Sequence, residues 1–308
     1  MIEKLVTDAG LIYSATNLAV TQAAGNPGIP WWVWPLALLV TTFLIGIVAA
    51  LAGVGGSVLY VPIVSSFFPF NFDFIRGSGL FVALACSLSA APKLLKANLA
   101  SLRLVIPLAL IASSSSIVGA YLGLALPQSI LKILLGLLIT SIALLFVFSK
   151  NSEIPKIGRP DPLAKYLNIG GAYFESSSGQ DIQWTVWRLP QGLILFGCIG
   201  IIAGMFGIGA GWANVPVLNL VLGAPLKVAV GTSMSLLAIT DTSAAWIYLN
   251  QGAVLPMITV PSVIGIMIGS RVGVKILNTA KPKAIRYIVI LMLLFAGLKS
   301  LLNGLGWG

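Results

Sequence analysis

The residues best suited to chemistry in this chain are glycines in two short turns. The first turn reads Gly53-Val-Gly-Gly-Ser57, and the second reads Gly207-Ile-Gly-Ala-Gly211. Glycine lets a helix break and lets backbone N–H groups approach a ligand closely. Helices that begin after these turns, at about Ser57 and Trp212, would each present free N–H groups and the positive end of a helix dipole. The two turns therefore predict a site for a small anion.

We expect the anion to contact the two turns and the hydroxyl groups that open the next helix of each half. The candidate substrate-binding residues are Gly55, Gly56, Ser57, Ser78, Gly209, Ala210, Gly211, Thr232 and Ser233. Asn214 and Asn219 follow the second turn, and either can face the site. The alternative is that the glycines only allow close helix packing. Packing is the better interpretation for the pairs spaced by four, which are Gly119/Gly123 and Gly269/Gly273.

Two charged residues are candidates for coupling or gating. Asp241 is the acid that we place well inside an apolar run, where an ionisable group costs a few kcal/mol. Our hypothesis is that Asp241 is protonated on one side of the membrane and ionised on the other, which couples anion movement to protons. The alternative is a hydrogen-bonded structural aspartate. Arg76 either attracts anions at the outer mouth or extends along the interface like many long cationic side chains.

The composition excludes several classes of function. The chain of 308 residues has no histidine, which rules out Ser–His and Cys–His nucleophiles and His-ligated zinc or haem. No Gly-x-x-x-x-Gly-Lys-Ser/Thr loop is present, so we expect no direct use of ATP. We predict no catalytic residues, no metal, no cofactor and no enzyme activity. The net charge of +10 is spread over loops, which indicates a membrane topology signal and not nucleic-acid binding.

The sequence also indicates that the chain consists of two related halves. Gly53 and Gly207, Gly46 and Gly200, and Gly77 and Gly231 are all separated by the same 154 residues, and Val-Pro follows each turn at that offset. Chance similarity between apolar helices matches Leu and Ile, not Gly and Pro in register. Internal duplication is therefore the better interpretation.

Long apolar segments flank the two turns and must position them. Only 8% of the residues are charged, against about 25% in soluble domains, which indicates that these segments lie in a membrane. We predict an all-α polytopic membrane protein with five segments in each half, whose short second members end near the midplane. The segments lie near 33–52, 57–69, 77–95, 104–126 and 130–149, and near 190–206, 212–222, 229–249, 254–276 and 284–303. The domains are an extracytoplasmic or interfacial segment (1–32, with a surface helix near 5–24), the first repeat (33–149), a polar insert (150–188) and the second repeat (189–304).

Loop charges predict how the halves are oriented. Lys93, Lys96 and Arg103 lie between the third and fourth segments of the first half, whereas the matching loop of the second half has no charge. Basic loops stay in the cytoplasm, so the two repeats have opposite orientation. An odd number of segments requires the same result. We expect extracytoplasmic termini and a cytoplasmic insert, which forms a small β-hairpin around Ser176–Gly179.

The paired turns resemble the signature of the sulfite exporter TauE/SafE family. Gly-Val-Gly-Gly-Ser with Val-Pro, Gly-Ile-Gly-Ala-Gly with Val-Pro-Val-Leu-Asn, and Gly231-Thr232-Ser233 all fit it, over about residues 35–303. The family's usual Gly-x-Gly-Gly-Gly pattern has Ser57 in place of a glycine in the first half and Ala210 in the second. The identity of the substrate therefore stays open. The resemblance implies secondary transport of sulfur oxyanions such as sulfite or of organosulfonates.

We therefore expect a multi-pass carrier in the cytoplasmic (inner) membrane whose partners are the lipid bilayer and a small anion. The anion is sulfite, thiosulfate or an organosulfonate, moved by alternating access and exported with an ion or a proton. The alternatives are a passive anion channel and a carrier for another small anion or cation. Direction and oligomeric state stay open.

Overall fold

The structure is a computed structural model that describes residues 32–52, 55–96, 98–148, 161–167, 169–175 and 180–276, together with 291, 294, 297–298 and 300–302. Most of these residues are helical. The surface helix expected near 5–24 lies outside the described residues, as does most of the segment expected at 284–303.

The first half contains five helices close to the expected positions. They are α1 (Val33–Ala52), α2 (Ser57–Phe67), α3 (Phe72–Lys96), α4 (Leu102–Ala125) and α5 (Gln128–Phe148). Helix α3 begins five residues before the predicted boundary. The reason is a side-chain cap, because the Asn71 Oδ1 accepts a hydrogen bond of 2.9 Å from the Asp73 N–H at the first turn.

The second half follows the same plan, with one difference in its short helix. Its elements are α7 (Leu189–Phe206), α8 (Gly211–Pro216), a π-helix (Val217–Val221), α9 (Leu226–Asn250) and α10 (Pro256–Ile276). The π-helix continues α8 directly, and its wider turn is closed by the Leu222 N–H bonded to the Val217 carbonyl at 3.0 Å. Such wide turns are rare and often lie at functional sites.

The polar insert contains the predicted hairpin. Strand β1 (Gly170–Glu175) pairs antiparallel with β2 (Gln180–Thr185). A short helix that the sequence did not predict, α6 (Pro162–Tyr166), precedes them. The insert packs Trp184 and Val186 against the first turns of α4, α7 and α9. It therefore packs on the helix bundle.

Apolar surface and length make this a membrane protein. Four helices of the described chain are long and apolar enough to cross a bilayer: Phe72–Lys96, Leu102–Ala125, Leu189–Phe206 and Pro256–Gly273. Helix α9 runs between α3 and α4, and it carries the hydroxyl residues and Asp241 that lower its hydropathy. Large apolar side chains such as Leu110 and Ile194 are exposed on the outer faces of α4 and α7, where lipid would contact them.

Glycines line the two most extensive helix pairs, α1 with α10 and α4 with α7. A Cβ at Gly269 would overlap the Phe43 carbonyl oxygen, and one at Gly119 would overlap the Ile201 carbonyl oxygen. Small residues at such crossings let helix backbones approach closely in a membrane. The packing interpretation is therefore correct for these two glycines and for Gly123, whose Cβ would overlap the Met205 carbonyl oxygen.

The close crossing of α4 and α7 predicts an uneven response to alanine along one helix. Gly204→Ala places a methyl group against the Ser116 carbonyl, whereas a Cβ at Gly197 meets only ordinary contacts at 3.5 and 3.6 Å. Overpacking costs about 1–3 kcal/mol, so Gly204→Ala should lower the apparent melting temperature of the purified protein by several degrees. Gly197→Ala, the matched control, should leave it unchanged, and equal melting temperatures would contradict this view of the crossing.

Candidate functional site

In both Gly turns a glycine adopts a backbone conformation that other residues avoid, and residues 55–57 and 207–211 are buried. Gly55 has φ of +83° and Gly209 has φ of +63°, in the left-handed region that other residues avoid. Helix α2 begins at Ser57 as predicted, and α8 begins at Gly211, one residue before the predicted start.

The first N–H groups of these helices lack helical partners. In α2 the first helical bond runs from the Tyr60 N–H to the Gly56 carbonyl at 3.0 Å, so the preceding three N–H groups of the helix have no acceptor within it. The residues before the helices are Gly56 and Ala210, whose side chains have no polar atom to cap them. An uncapped helix start that is buried needs another acceptor, and an anion supplies one.

One stripe of α9 faces the two turns. A Cβ at Gly55 would lie 3.4 Å from Leu237, and a Cβ at Gly209 would lie 3.1 Å from Oδ2 of Asp241. Ser233 lies one helical turn before Leu237, so the three α9 residues are spaced by four and share one face. Ser233 and Asp241 therefore belong to the same surface as the turns.

Three buried side chains on α8 and α9 have polar atoms without a hydrogen-bond partner among the residues that the structure describes. They are Asn214, Ser233 and Asp241, each at most 2% exposed. A buried polar group without a partner costs free energy in any apolar environment. These atoms are therefore candidates for the polar lining of a site, since Asn214 lies in the first turn of α8 and Asp241 lies next to Gly209.

Ser78 and Thr232, which the sequence places in the site, instead make contacts between the halves. Oγ of Ser78 lies 2.8 Å from Oγ1 of Thr259 at the start of α10. Oγ1 of Thr232 accepts a hydrogen bond of 3.4 Å from the Ser101 N–H just before α4. Both hydroxyls are thus already engaged in this conformation.

Gly56 and Ala210 complete the turns and are buried. A Cβ at Gly56 would lie 2.7 Å from Cδ1 of Ile266, so a larger residue forces the Ile266 side chain on α10 to move. The Gly56 backbone also forms a hydrogen bond with the thiol of Cys86 on α3. Ala210 packs with Leu237 in a cluster joining α3, α7, α8 and α9.

Arg76 is fully buried and bonds to two helix ends. Its guanidinium donates to the Met205 carbonyl at 2.7 Å and the Gly123 carbonyl at 3.1 Å, near the ends of α7 and α4, and it pairs with Asp73. Carbonyls in the last turn of a helix lack helical donors and carry the negative end of the dipole, so a cation there stabilises both ends. The side chain neither extends into solvent nor joins the two Gly turns.

Asn214 is the residue that sequence reasoning left undecided. Both atoms of its amide are unpartnered, whereas the Asn219 Nδ2 donates to the Ala224 carbonyl at 2.9 Å within its own loop. The positions of the two asparagines could have indicated which one lies near the turn. Asn214 lies one helical turn after the start of the short helix, whereas Asn219 lies at its end. The structure therefore favours Asn214 for the site.

Comparison with known proteins places the chain in one group of membrane proteins. The family described as "Sulfite exporter TauE/SafE" matches residues 38–300. A relative described as a probable membrane transporter protein in Bacillus subtilis, YunE, is 22% identical over 87% of this chain and 97% of its own length. A probable membrane transporter protein of Methanocaldococcus jannaschii is 27% identical over 86% of this chain and 94% of its own length. No solved structure matches the chain.

The contacts of Arg76 predict a large structural effect of its removal. Arg76→Ala leaves the buried Gly123 carbonyl without its donor, and the Met205 carbonyl keeps only a hydrogen bond from the Tyr248 hydroxyl, which is shared with the Gly204 carbonyl. A buried group without a partner costs about 1–3 kcal/mol. The variant should unfold at a markedly lower temperature in detergent than Arg271→Ala, a control that removes an exposed arginine from α10. If both variants melt alike, Arg76 is not a structural link between helix ends.

Proposed function

Because the chain belongs to the sulfite exporter TauE/SafE family and is a membrane transporter, not an enzyme, we propose that it carries a small sulfur-containing anion across the cytoplasmic membrane by alternating access. The substrate is sulfite, thiosulfate or an organosulfonate, and transport is export coupled to an ion or a proton. The observation that carries this proposal is the pair of buried, uncapped helix starts beside the unpartnered side chains of Asn214 and Ser233.

The chemistry of the site suits an oxyanion. Backbone N–H groups, an amide and a hydroxyl donate hydrogen bonds to several oxygens at once without adding a fixed positive charge. Such donors bind an anion without a fixed positive charge in the site, so the anion can also be released. Gly55, Gly56, Ser57, Gly209, Ala210 and Gly211 supply the backbone, and Ser233 supplies a hydroxyl. Ser78 and Thr232 reach the anion only if their bonds between the halves open.

Inverted repeats are part of the proposal, and the element boundaries support them. Helices α2, α3 and α4 begin at Ser57, Phe72 and Leu102, and α8, α9 and α10 begin 154 residues later. The ends of α1 and α7, at Ala52 and Phe206, differ by the same number.

Contacts between the halves support a twofold relation as well. Gly55 packs on Leu237, and its repeat partner Gly209 packs on Ala83, which is the partner of Leu237. A Cβ at Gly77 would overlap the carbonyl of Ala253 just before α10, and one at Gly231 would overlap that of Leu99 just before α4. Each half thus makes the same contact with the other, as a twofold axis requires.

The proposed orientation places the 150–188 insert in the cytoplasm and both termini outside, with segments 1–32, 33–149 and 189–304 as separate parts of the chain. The basic loop at Lys96 and Arg103 lies on the same end of the bundle as the hairpin, because Leu104 and Trp184 share one apolar cluster. The insert at 150–188 contains five Lys or Arg residues, so its place beside the basic loop agrees with the rule that cytoplasmic loops are basic.

A carrier is favoured over a passive channel because the site is closed in this conformation. Asn214, Ser233 and the described residues of both turns are buried. Asp241 is the proposed coupling residue, and Arg76 acts as a gate only if its bonds to α4 and α7 change during transport.

Two serines on α9 test the site with a matched control. Ser233→Ala removes an unpartnered buried hydroxyl, and Ser235→Ala removes one that donates to the Gly231 carbonyl of its own helix at 3.2 Å. A hydrogen bond to a charged ligand contributes about 1.5–3 kcal/mol, so Ser233→Ala should weaken sulfite binding about tenfold or more. Ser235→Ala should bind as the wild type does, and equal loss in both variants would move the site away from this stripe.

Transport itself is tested in proteoliposomes loaded with sulfite, thiosulfate or sulfoacetate. Saturable counterflow that is reduced in Asn214→Ala supports a carrier with this site. Flux that never saturates indicates a channel, and absence of flux for every anion contradicts the proposed function.

A further inference from the structure

Two oxygen atoms from different halves of the chain converge on Gly209. A Cβ atom placed on Gly209 would lie 2.9 Å from Oγ of Ser57 and 3.1 Å from Oδ2 of Asp241. Ser57 is at the start of α2 and Asp241 is in the middle of α9, so the fold brings them together from far apart in the sequence. Both side chains are at most 2% exposed.

Neither oxygen has a hydrogen to offer the other when Asp241 is ionised. The hydroxyl of Ser57 donates its one proton to the Ile208 carbonyl, which can only accept. An ionised carboxylate also only accepts, and Oδ2 of Asp241 has no partner among the described residues. Two of these oxygens, Oγ of Ser57 and Oδ2 of Asp241, therefore lie close to Gly209, and the third, the Ile208 carbonyl, contacts Ser57.

No cationic side chain in the described part of the chain pairs with Asp241. Arg76, the buried cation of the neighbouring helix α3, pairs with Asp73 instead. An isolated carboxylate is costly to bury, and the cost rises when an anion binds nearby. A mobile positive charge at this point would remove both penalties.

We propose that Ser57, Asp241 and the Ile208 carbonyl form a binding site for one sodium ion. Carboxylate, hydroxyl and carbonyl oxygens are the ligands that hard cations take, and carriers use broken-helix carbonyls for the same purpose. A single carboxylate balances a monovalent ion, whereas a divalent ion would leave an uncompensated charge inside the membrane. The site is separate from the anion-binding atoms, and its role in coupling rests on the proposed function.

The repeat provides only one such site. The partner of Asp241 in the first half is Ser87, whose hydroxyl donates to the Leu84 carbonyl at 2.9 Å within its own helix. The partner of Ser57 is Gly211, which has no side chain. The ion would therefore bind at the second turn alone and would neutralise the carboxylate of Asp241.

The test is binding of radioactive Na⁺ to the full-length protein purified in detergent, with choline replacing Na⁺ at constant ionic strength. We expect saturable binding in the wild type, competition by excess unlabelled Na⁺, loss in Asp241→Asn, and binding about tenfold weaker in Ser57→Ala. Ser235→Ala and Asp181→Asn serve as controls, because the first changes another buried serine and the second an exposed acid of the hairpin. Size-exclusion profiles and melting temperatures identify variants that fail to fold.

The wild-type protein alone can overturn the proposal. Absence of saturable Na⁺ binding, or binding that K⁺ displaces equally well, contradicts a sodium site whatever the variants do. Na⁺ binding that persists in a folded Asp241→Asn variant contradicts these ligands.

A second measurement separates this proposal from the proposed function. Sulfite binding is compared in Na⁺ and in choline, and Na⁺ should strengthen it about tenfold, as expected for about 1.4 kcal/mol of coupling. Sulfite binding that is equal in both salts and takes up a proton overturns the sodium role and leaves the anion carrier intact. Na⁺ binding without binding of any sulfur anion supports the cation site and contradicts the proposed function.

Discussion

A helix that breaks inside a bilayer leaves backbone N–H and carbonyl groups that lipid cannot satisfy, so protein must cover every break. Both Gly turns meet this constraint by packing on the third helix of the opposite half. Gly55 lies against Leu237, and Gly209 lies against Ala83. The arrangement brings α3 and α9 together at the centre of the fold, and the pairs α1–α10 and α4–α7 form around them. The positions of the main helices thus follow from the need to bury two interrupted backbones.

The same constraint explains how much the sequence predicts. Apolar runs and the spacing of Gly and Pro define the helices, the turns and the hairpin, because each of these depends on local patterns. The early start of α3 was missed because Asn71 and Asp73 look like a loop until the Asn71 side chain is seen to cap the helix. Helix α6 was missed because five residues carry no periodic signal.

The side-chain partners within the site were harder to predict than its location. Ser78 and Thr232 follow glycines at the expected place, but their partners Thr259 and Ser101 come from the other half. Arg76 looks like a residue of the outer mouth, and only the ends of α4 and α7 reveal what it binds. Such contacts join residues that are more than 45 positions apart, and spacing along one segment does not show them.

The hairpin insert has a consequence for the energetics of the transport cycle. Trp184 and Val186 join the start of α4 in the first half to the starts of α7 and α9 in the second, and the Trp187 N–H bonds to the Leu222 carbonyl at 3.1 Å. The far ends of α4 and α7 are held by Arg76 instead, whose repeat partner is Val230. Two repeats with identical faces would populate the inward-facing and outward-facing states equally in the absence of a gradient. In the proposed alternating-access cycle, one face is closed by a packed hairpin and the other by a buried guanidinium, so we expect the resting carrier to favour one side.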